Sequence, residues 1–482
     1  MTTIGETTFT GADIDRFAAL TFDTNPIHMD PRTAQRSFAG ARVVHGMLVL
    51  LSGLQHFVAS GQAAAPFTRV RCDFRCPVLI DETVRFDYRP RSDGGARISA
   101  LVDDVPCAEI RLDDPGARDR GTARPPRIDA PLDAIQEPLD HDARALAAFG
   151  ATISNAPAAS VTAAFPALCA AVGAANVAAL ARLSYVVGML CPGRYSVFAA
   201  VDVLLAPAAD APGATTFTVT DVDERFRLVQ MTLTGDLAGT CSAFQRPAPF
   251  QQPTSESLGD RVAADEFAGA RALVIGGSRG LGELTAKLLC AGGATVHLTY
   301  ARGARDARQV CAEITGANRG VCAPLALDVL APLSAEVRSL LGDVDLIFYF
   351  PTPLISRKKS KTFSAPILDE FLRFYVERFY ALCEAVQSAA TRPVRIFYPS
   401  SVYVESRPKG LTEYAMAKAA GEVLLSDLNA ASAKLQIVSS RLPRMGSDQT
   451  NTIAGGGEET DGVAVMLSIV RGMWRAADHA AG

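Results

Sequence analysis

The chain has 482 residues, 49% hydrophobic and 20% charged, and a formal net charge of −4. At about 150 residues per domain that length allows roughly three folded cores, and the composition excludes a disordered or fibrous chain. With no long basic stripe a nucleic-acid partner is not expected, and with no unbroken apolar run of bilayer length neither is a membrane.

The N-terminus, MTTIGETTFTGADIDRF, has no basic stretch ahead of an apolar one, so no export signal is expected and the protein reads as cytoplasmic. Its ten cysteines lack the double CxxC of a zinc site and are expected to be reduced. Cys72 and Cys76 would share one face if RCDFRC is extended, as packing groups.

In chain order, GADIDRFAALT reads as a short helix and FDTNPIHMD as a loop that sets Asp23 and His28 on either side of Asn25 and Pro26. VVHGMLVLLSGLQHFV follows as a long apolar helix, then FTRVRCDF, ETVRFDYRP, ARISALV and CAEIRL as alternating strands. One helix followed by antiparallel strands predicts a sheet wrapped around a central helix. After a linker rich in Pro, Gly and charge at 116–133, that order repeats. ANVAALARLSYVVGMLCPG is the second helix, and YSVFAAVDVLLA, TFTVTDVDE, RLVQMTLTG and LAGTCSAFQR are its strands. A second linker, RPAPFQQPTSESLGD, precedes a segment in which strands and helices alternate from RALVIGG to LQIVSSRL. That alternation predicts a parallel, doubly wound sheet. The expected domains are 1–118, 130–250 and 262–482.

The motif Asp23-x-Asn25-Pro26-Ile27-His28, with ARVVHGM after it, resembles the R-specific enoyl-CoA hydratase family, also called hydratase 2 or MaoC-like, which has the hot-dog fold. The resemblance covers the first segment by motif and the second by shape only. It implies a double hot-dog in which the first half keeps the catalytic loop and the second, a degenerate copy, completes an acyl tunnel. Adding water to a double bond conjugated to a thioester needs a base for the water, an acid for the α carbon, and a donor for the enolate oxygen. Asp23 and His28 on a stiff loop can hold one water, and the Gly46 N–H at a helix start suits the oxygen. The structural alternative for Asp23 and His28 is a capped turn, and His45 reads as a packed histidine at the helix start.

In the third segment, Gly276, Ser278, Arg279, Gly280, Leu281 and Gly282 form a turn between strand and helix that suits a pyrophosphate. The G-x-x-x-G-x-G spacing, Tyr414-Ala-Met-Ala-Lys418, and Ser401 thirteen residues before the tyrosine resemble the short-chain dehydrogenase/reductase superfamily, with its Rossmann fold. The resemblance implies that Ser401 polarises a carbonyl, that Tyr414 passes a proton, and that Lys418 lowers the phenol from its ordinary value near ~10. It also makes Lys418 a ligand of the cofactor ribose and Asp328 the adenine contact, the alternative for Asp328 being a strand-end cap. Arg302 stands where an NAD enzyme would carry an acid, so with Arg279 the cofactor is expected to be NADP rather than NAD.

Two departures follow from the same match: Tyr349-Phe350-Pro351-Thr352 replaces an Asn-Asn-Ala-Gly element, and Tyr375 stands near the place of a fourth catalytic asparagine. FYPSSVYVES and SSRLPRMG also resemble the extended, epimerase-like branch. The basic run SRKKSK at 356–361 is a candidate for coenzyme A phosphates or an acyl carrier protein, or a solvated loop.

The expectation is therefore a multidomain α+β and α/β protein, a bifunctional enzyme of acyl thioesters carried on coenzyme A or phosphopantetheine. It would reduce 3-oxoacyl to 3-hydroxyacyl thioester with NADP and interconvert 3-hydroxyacyl and 2-enoyl thioester. One alternative keeps the hydratase alone, with the Rossmann part epimerase-like or inactive. Another is a non-catalytic scaffold for acyl carrier protein. By resemblance a homo-oligomer without a metal is expected.

Overall fold

The computed structural model describes residues 1–63, 67–113, 135–155, 158–206, 213–357, 359, 361–450 and 460–478. The linker expected at 116–133 lies outside the described residues. Two compact units are present, Met1–Ala248 and Pro249–Asn451 with Gly456–Gly482.

The first unit is one antiparallel sheet of ten strands: β1 (Thr2–Thr8), β2 (Arg69–Phe74), β3 (Thr83–Pro90), β4 (Ala96–Val102), β5 (Val105–Asp113), β6 (Gly150–Ser154), β7 (Ser196–Leu205), β8 (Ala214–Asp223), β9 (Leu228–Gly235) and β10 (Leu237–Gln245). Their order is β1-β3-β4-β5-β2-β7-β10-β9-β8-β6, so the second five strands repeat the first five in mirror order. The seam is β2 on β7, paired from Arg69↔Leu204 to Asp73↔Ala200. Two hot-dog halves thus share one sheet, as the repeated helix-then-strands order predicts.

The helix Gly46–Ala59 belongs to the first half and Ala174–Tyr185 to the second. Met47, Leu50, Leu51 and Leu54 are fully buried, which is why this helix is apolar on most sides. Gly53 lets it approach the sheet, since a Cβ there would stand 2.9 Å from the Ile110 side chain. The second helix widens at its end into a π-helical turn, Val186–Leu190. Among the described residues no single helix is long and apolar enough to cross a membrane. Cys72 is buried on β2, but the strand ends at Phe74, so Cys76 leaves that face and its sulfur lies 3.1 Å from that of Cys107.

The second unit is a parallel sheet of β11 (Arg271–Ile275), β12 (Thr295–Tyr300), β13 (Val321–Ala326), β14 (Leu346–Tyr349), β15 (Val394–Ser401) and β16 (Leu435–Leu442), in the order β13-β12-β11-β14-β15-β16. Both faces are covered. Ala272 and Val274 of β11 join one core, while Leu273 and Ile275 point into the other. The order reverses between β11 and β14, the switch point at which doubly wound sheets open a crevice beyond the strand ends.

Candidate active sites

Helix Gly11–Thr21 ends at Phe22, whose backbone is left-handed with φ 61° and turns the chain so that Asp23 points inward. Asn25 then caps the short helix Pro26–Met29, its Oδ1 accepting from the Ile27 N–H. The other end of the Asn25 amide donates to the carbonyls of Gly188 at 2.6 Å and Gly193 at 3.1 Å. The capped-turn and catalytic readings are therefore compatible. The cap stiffens the corner, and the second half of the unit anchors it.

Asp23 is 1% exposed. Its Oδ2 accepts from the Ser184 hydroxyl at 2.7 Å and its Oδ1 from the Asn25 N–H at 3.2 Å. Gly188 is required beside it, because a Cβ at that position would lie 2.3 Å from Asp23 Oδ1. His28 Nδ1 faces the Val43 carbonyl at 2.7 Å, so that nitrogen carries the hydrogen and Nε2 keeps its lone pair. Asp23, His28 and His45 each bring a side-chain N or O atom to within 4.8 Å of the others. Burial raises the Asp23 carboxyl and lowers the His28 imidazole, with the attraction between the two working against both shifts.

This trio does not read as a cation site. The His45 nitrogen that faces Asp23 is Nε2, and at 3.1 Å from the Asp23 carbonyl oxygen it needs its hydrogen for that bond. What Asp23 and His28 border instead is a cavity of about 170 Å³. Asp23, His28 and Gly46 share its wall with Ser184 and Gly188, and Val49, Phe74, Val187, Phe198 and Phe244 make it apolar. Gly46 opens the helix Gly46–Ala59 at this wall, where the first N–H groups have no partner inside the helix. A Cβ at Gly46 would be 3.1 Å from the Phe74 ring. Sequence reasoning missed Ser184 and Gly188, both in the half without the Asp-His motif.

In the second unit Gly276 (φ 77°) and Gly280 (φ 61°) make the left-handed turns between β11 and the helix Gly280–Ala291. A Cβ on Gly282 would lie 2.4 Å from the Gly276 carbonyl, so position 282 admits no side chain, whereas a Cβ on Gly280 would meet nothing nearer than 3.9 Å, which leaves the backbone there open. Ser278 and Leu281 are half-buried in the same turn, as is Arg279, which has partners, and Arg302 is exposed just past β12. Asp328 is exposed and accepts from the Leu330 N–H at 2.9 Å, the geometry of the end cap that was the alternative to an adenine contact.

Ser401 ends β15 and shares a hydrogen bond with Tyr414, which stands on the helix Thr412–Ala431 with Lys418 one turn on. The expected lowering of the phenol is not what this arrangement gives. Lys418 Nζ donates to the Pro399 carbonyl at 2.6 Å, lies 3.8 Å from the centre of the Tyr375 ring, and is 5.9 Å from that of Tyr414. Burial pushes Tyr414 up to about 12, against the bond from Ser401. Burial also pulls Lys418 down to about 7, with Glu422 opposing.

The two departures in sequence explain this packing. Tyr375 sits in a π-helical turn, Arg373–Glu377, with its hydroxyl bonded to Thr352, and its carbonyl accepts from the Tyr398 hydroxyl at 3.1 Å. Aromatic side chains thereby occupy the surroundings of Lys418. Two cations of the basic run are paired. Lys359 pairs with the buried Glu413 at 2.6 Å and Arg357 pairs with Glu370, while Lys358 and Ser360 lie outside the described residues. Arg357 and Lys359 are thus engaged within the protein, while Lys361 is exposed.

Comparison with known proteins divides the chain in the same way. Residues 2–92 match the model for the MaoC like domain and residues 270–440 that for short chain dehydrogenase. An (R)-specific enoyl-CoA hydratase of Aeromonas caviae is 31% identical over 104 residues, which cover 71% of that protein and 21% of this chain. A mitochondrial 3-hydroxyacyl-[acyl-carrier-protein] dehydratase of Arabidopsis thaliana is 33% identical over 76 residues, 16% of this chain and only 45% of the plant protein's length. Among solved structures, a short chain dehydrogenase from Burkholderia cenocepacia in complex with NADP is 23% identical, with 43% of this chain and 92% of that one covered and a TM-score of 0.38.

Proposed function

The chain belongs to the MaoC-like hydratase family through its first unit and carries a short-chain dehydrogenase domain behind it, and from that premise we propose a bifunctional enzyme of acyl thioesters. The first unit interconverts 2-enoyl and (R)-3-hydroxyacyl thioesters. The observation that supports this reading is that Asp23, His28 and Gly46 all line one largely apolar cavity. Asp23 and the free Nε2 of His28 hold a water between them. As its oxygen adds to C3, the pair takes one proton from it and delivers one to C2. The Gly46 N–H receives the charge that grows on the thioester oxygen. The Val49, Phe74 and Phe198 side chains keep bulk water from the acyl group. Run backwards, the same groups remove water.

The second unit reduces a 3-oxoacyl thioester, with Ser401 binding the ketone oxygen and Tyr414 supplying its proton. NADP, when bound at the Gly276–Gly282 turn, supplies hydride. The turn has the open backbone that a pyrophosphate needs, and Arg279 and Arg302 favour a 2′-phosphate. The 3-hydroxyacyl thioester links the two units, as product of one and substrate of the other, on coenzyme A or phosphopantetheine. The reading also places the protein in the cytoplasm as a homo-oligomer. Two observations favour a narrower second reading, in which only the first unit acts on acyl thioesters: the phenol of Tyr414 is raised rather than lowered, and Lys418 faces Tyr375.

Two assays on the full chain separate these readings. Crotonyl-CoA hydration, followed as loss of enoyl absorbance, is expected to vanish in Asp23→Asn and to survive in Tyr414→Phe. NADPH oxidation with acetoacetyl-CoA is expected to do the reverse. Hydration that persists in Asp23→Asn refutes the first assignment, and absent NADPH turnover in the wild type leaves the narrower reading.

A further inference from the structure

Deepening the hydratase reading and resting on it, we propose that His45 is a positioning residue of the Asp23–His28 pair: its ring stacks on His28 while its Nε2–H holds the backbone carbonyl of Asp23. The two imidazoles have centroids 3.9 Å apart and planes 27° from parallel, and the Nε2 to carbonyl distance is 3.1 Å. His45 also meets the Phe17 ring, centroids 5.2 Å apart and planes tilted by 57°.

Packing alone does not explain a histidine here. His45 is 0% exposed and sits at the N-cap of the helix Gly46–Ala59, yet its side chain makes no cap bond. Ser, Thr, Asp or Asn would cap that helix better. Its Nδ1 is buried with no partner among the described residues, a deficit of about 1–3 kcal/mol that a phenylalanine of similar shape would avoid. What histidine provides, in the space of a single small ring, is a flat face for His28 together with a donor for Asp23. The carbonyl it holds belongs to the residue after Phe22, where the backbone is left-handed and strain must be held by its surroundings. One side chain therefore fixes the acid through its backbone and the base through its ring plane, directly before Gly46.

The charged groups around the stacked rings agree with this role. Asp23 favours a charged His28, whereas Arg42 and Arg246 oppose it, and burial lowers both imidazoles. The rings can therefore stack without mutual repulsion near neutral pH.

The test uses the full chain in crotonyl-CoA hydration with two variants that each keep half of the role. His45→Phe keeps the ring and loses the donor, and His45→Asn keeps a donor and loses the ring. A misplacement of about 1 Å costs on the order of 100-fold, so both variants are expected to lose about 10-fold to 100-fold in kcat. KM should stay within about twofold, the folded protein should keep its secondary structure, and the acid limb of the pH profile should move. A histidine that only packs would let the folded His45→Phe protein keep the wild-type kcat and profile, and that result overturns the proposal if Asp23→Asn is inactive. An active Asp23→Asn enzyme would instead overturn the hydratase reading, and this inference with it.

Discussion

Ser184 donates to Asp23 Oδ2 at 2.7 Å across 161 residues of sequence, so the half without the Asp-His motif holds the acid of the half that has it. The bond stabilises the ionised carboxylate against a burial that raises its pKa. Removing the hydroxyl in Ser184→Ala therefore raises Asp23 further, and the ionised form appears only at higher pH. A hydrogen bond to a charged group is worth about 1.5–3 kcal/mol. The expected outcome is a loss of about 10-fold or more in kcat/KM for crotonyl-CoA near neutral pH. The acid limb of its pH profile should shift upward, and Ser184→Thr should retain part of the activity.

Gly188 tests the same contact from the other side. With a Cβ 2.3 Å from Asp23 Oδ1, Gly188→Ala forces the carboxylate or the π-helical turn to move. Overpacking of this kind costs about 1–3 kcal/mol in stability. Hydration should fall at least 100-fold, while NADPH turnover by the second unit, measured on the same sample, should be unchanged.

These contacts mark where the sequence stops being legible. Asp23, Asn25 and His28 form a local motif, and the helix-then-strands order repeats within the chain, so the double hot-dog and its Asp-His loop can be read without coordinates. Ser184 and Gly188 cannot be read, because neither belongs to a local pattern and their pairing depends on the β2–β7 seam. β1 is hidden for a different reason. TTIGETT has no alternation of apolar residues, and this edge strand is set by pairing with β3. The helix Gly462–Asp478 is not among the expected elements, although its buried Met466, Val470 and Met473 recur at helical spacing. In the second unit the glycine turn and the Ser401, Tyr414, Lys418 spacing are legible, but the direction in which Lys418 points is not. Tyr375 and the Pro399 carbonyl decide that, from separate elements.

The Lys359–Glu413 pair predicts a stability effect unrelated to docking. Glu413 is 1% exposed, precedes Tyr414, and also accepts from the Ser364 N–H at 2.6 Å. In Lys359→Ala that carboxylate keeps its burial and loses its counter-charge. Breaking a buried pair from one side costs about 3–5 kcal/mol. An unfolding free energy of the second unit lowered by about that much, read as a lower denaturant midpoint at unchanged m, is expected, and Lys359→Met with Glu413→Gln should recover most of it. A Lys359→Ala protein of wild-type stability would show that the pair is solvated.

Lys418 links the Ser401–Tyr414 site to pH. Its folded-state pKa is depressed from 10.5 to about 7 by burial, so the fold favours the neutral amine. The stability it contributes is fully present above pH ~10.5 and is lost as pH falls through about 7, where the amine must be charged inside the protein. Lys418→Met removes that penalty and leaves only the Pro399 carbonyl without its donor. The variant's melting temperature should exceed that of the wild type at pH 6, by an amount reflecting about 1–3 kcal/mol, and the difference should shrink or reverse at pH 10. Equal melting temperatures at both pH values would mean that the Tyr375 ring and Glu422 already compensate the buried charge. In that case Lys418 stays cationic at neutral pH and could support Tyr414 from a distance, so this measurement also weighs the reductase reading against the narrower one.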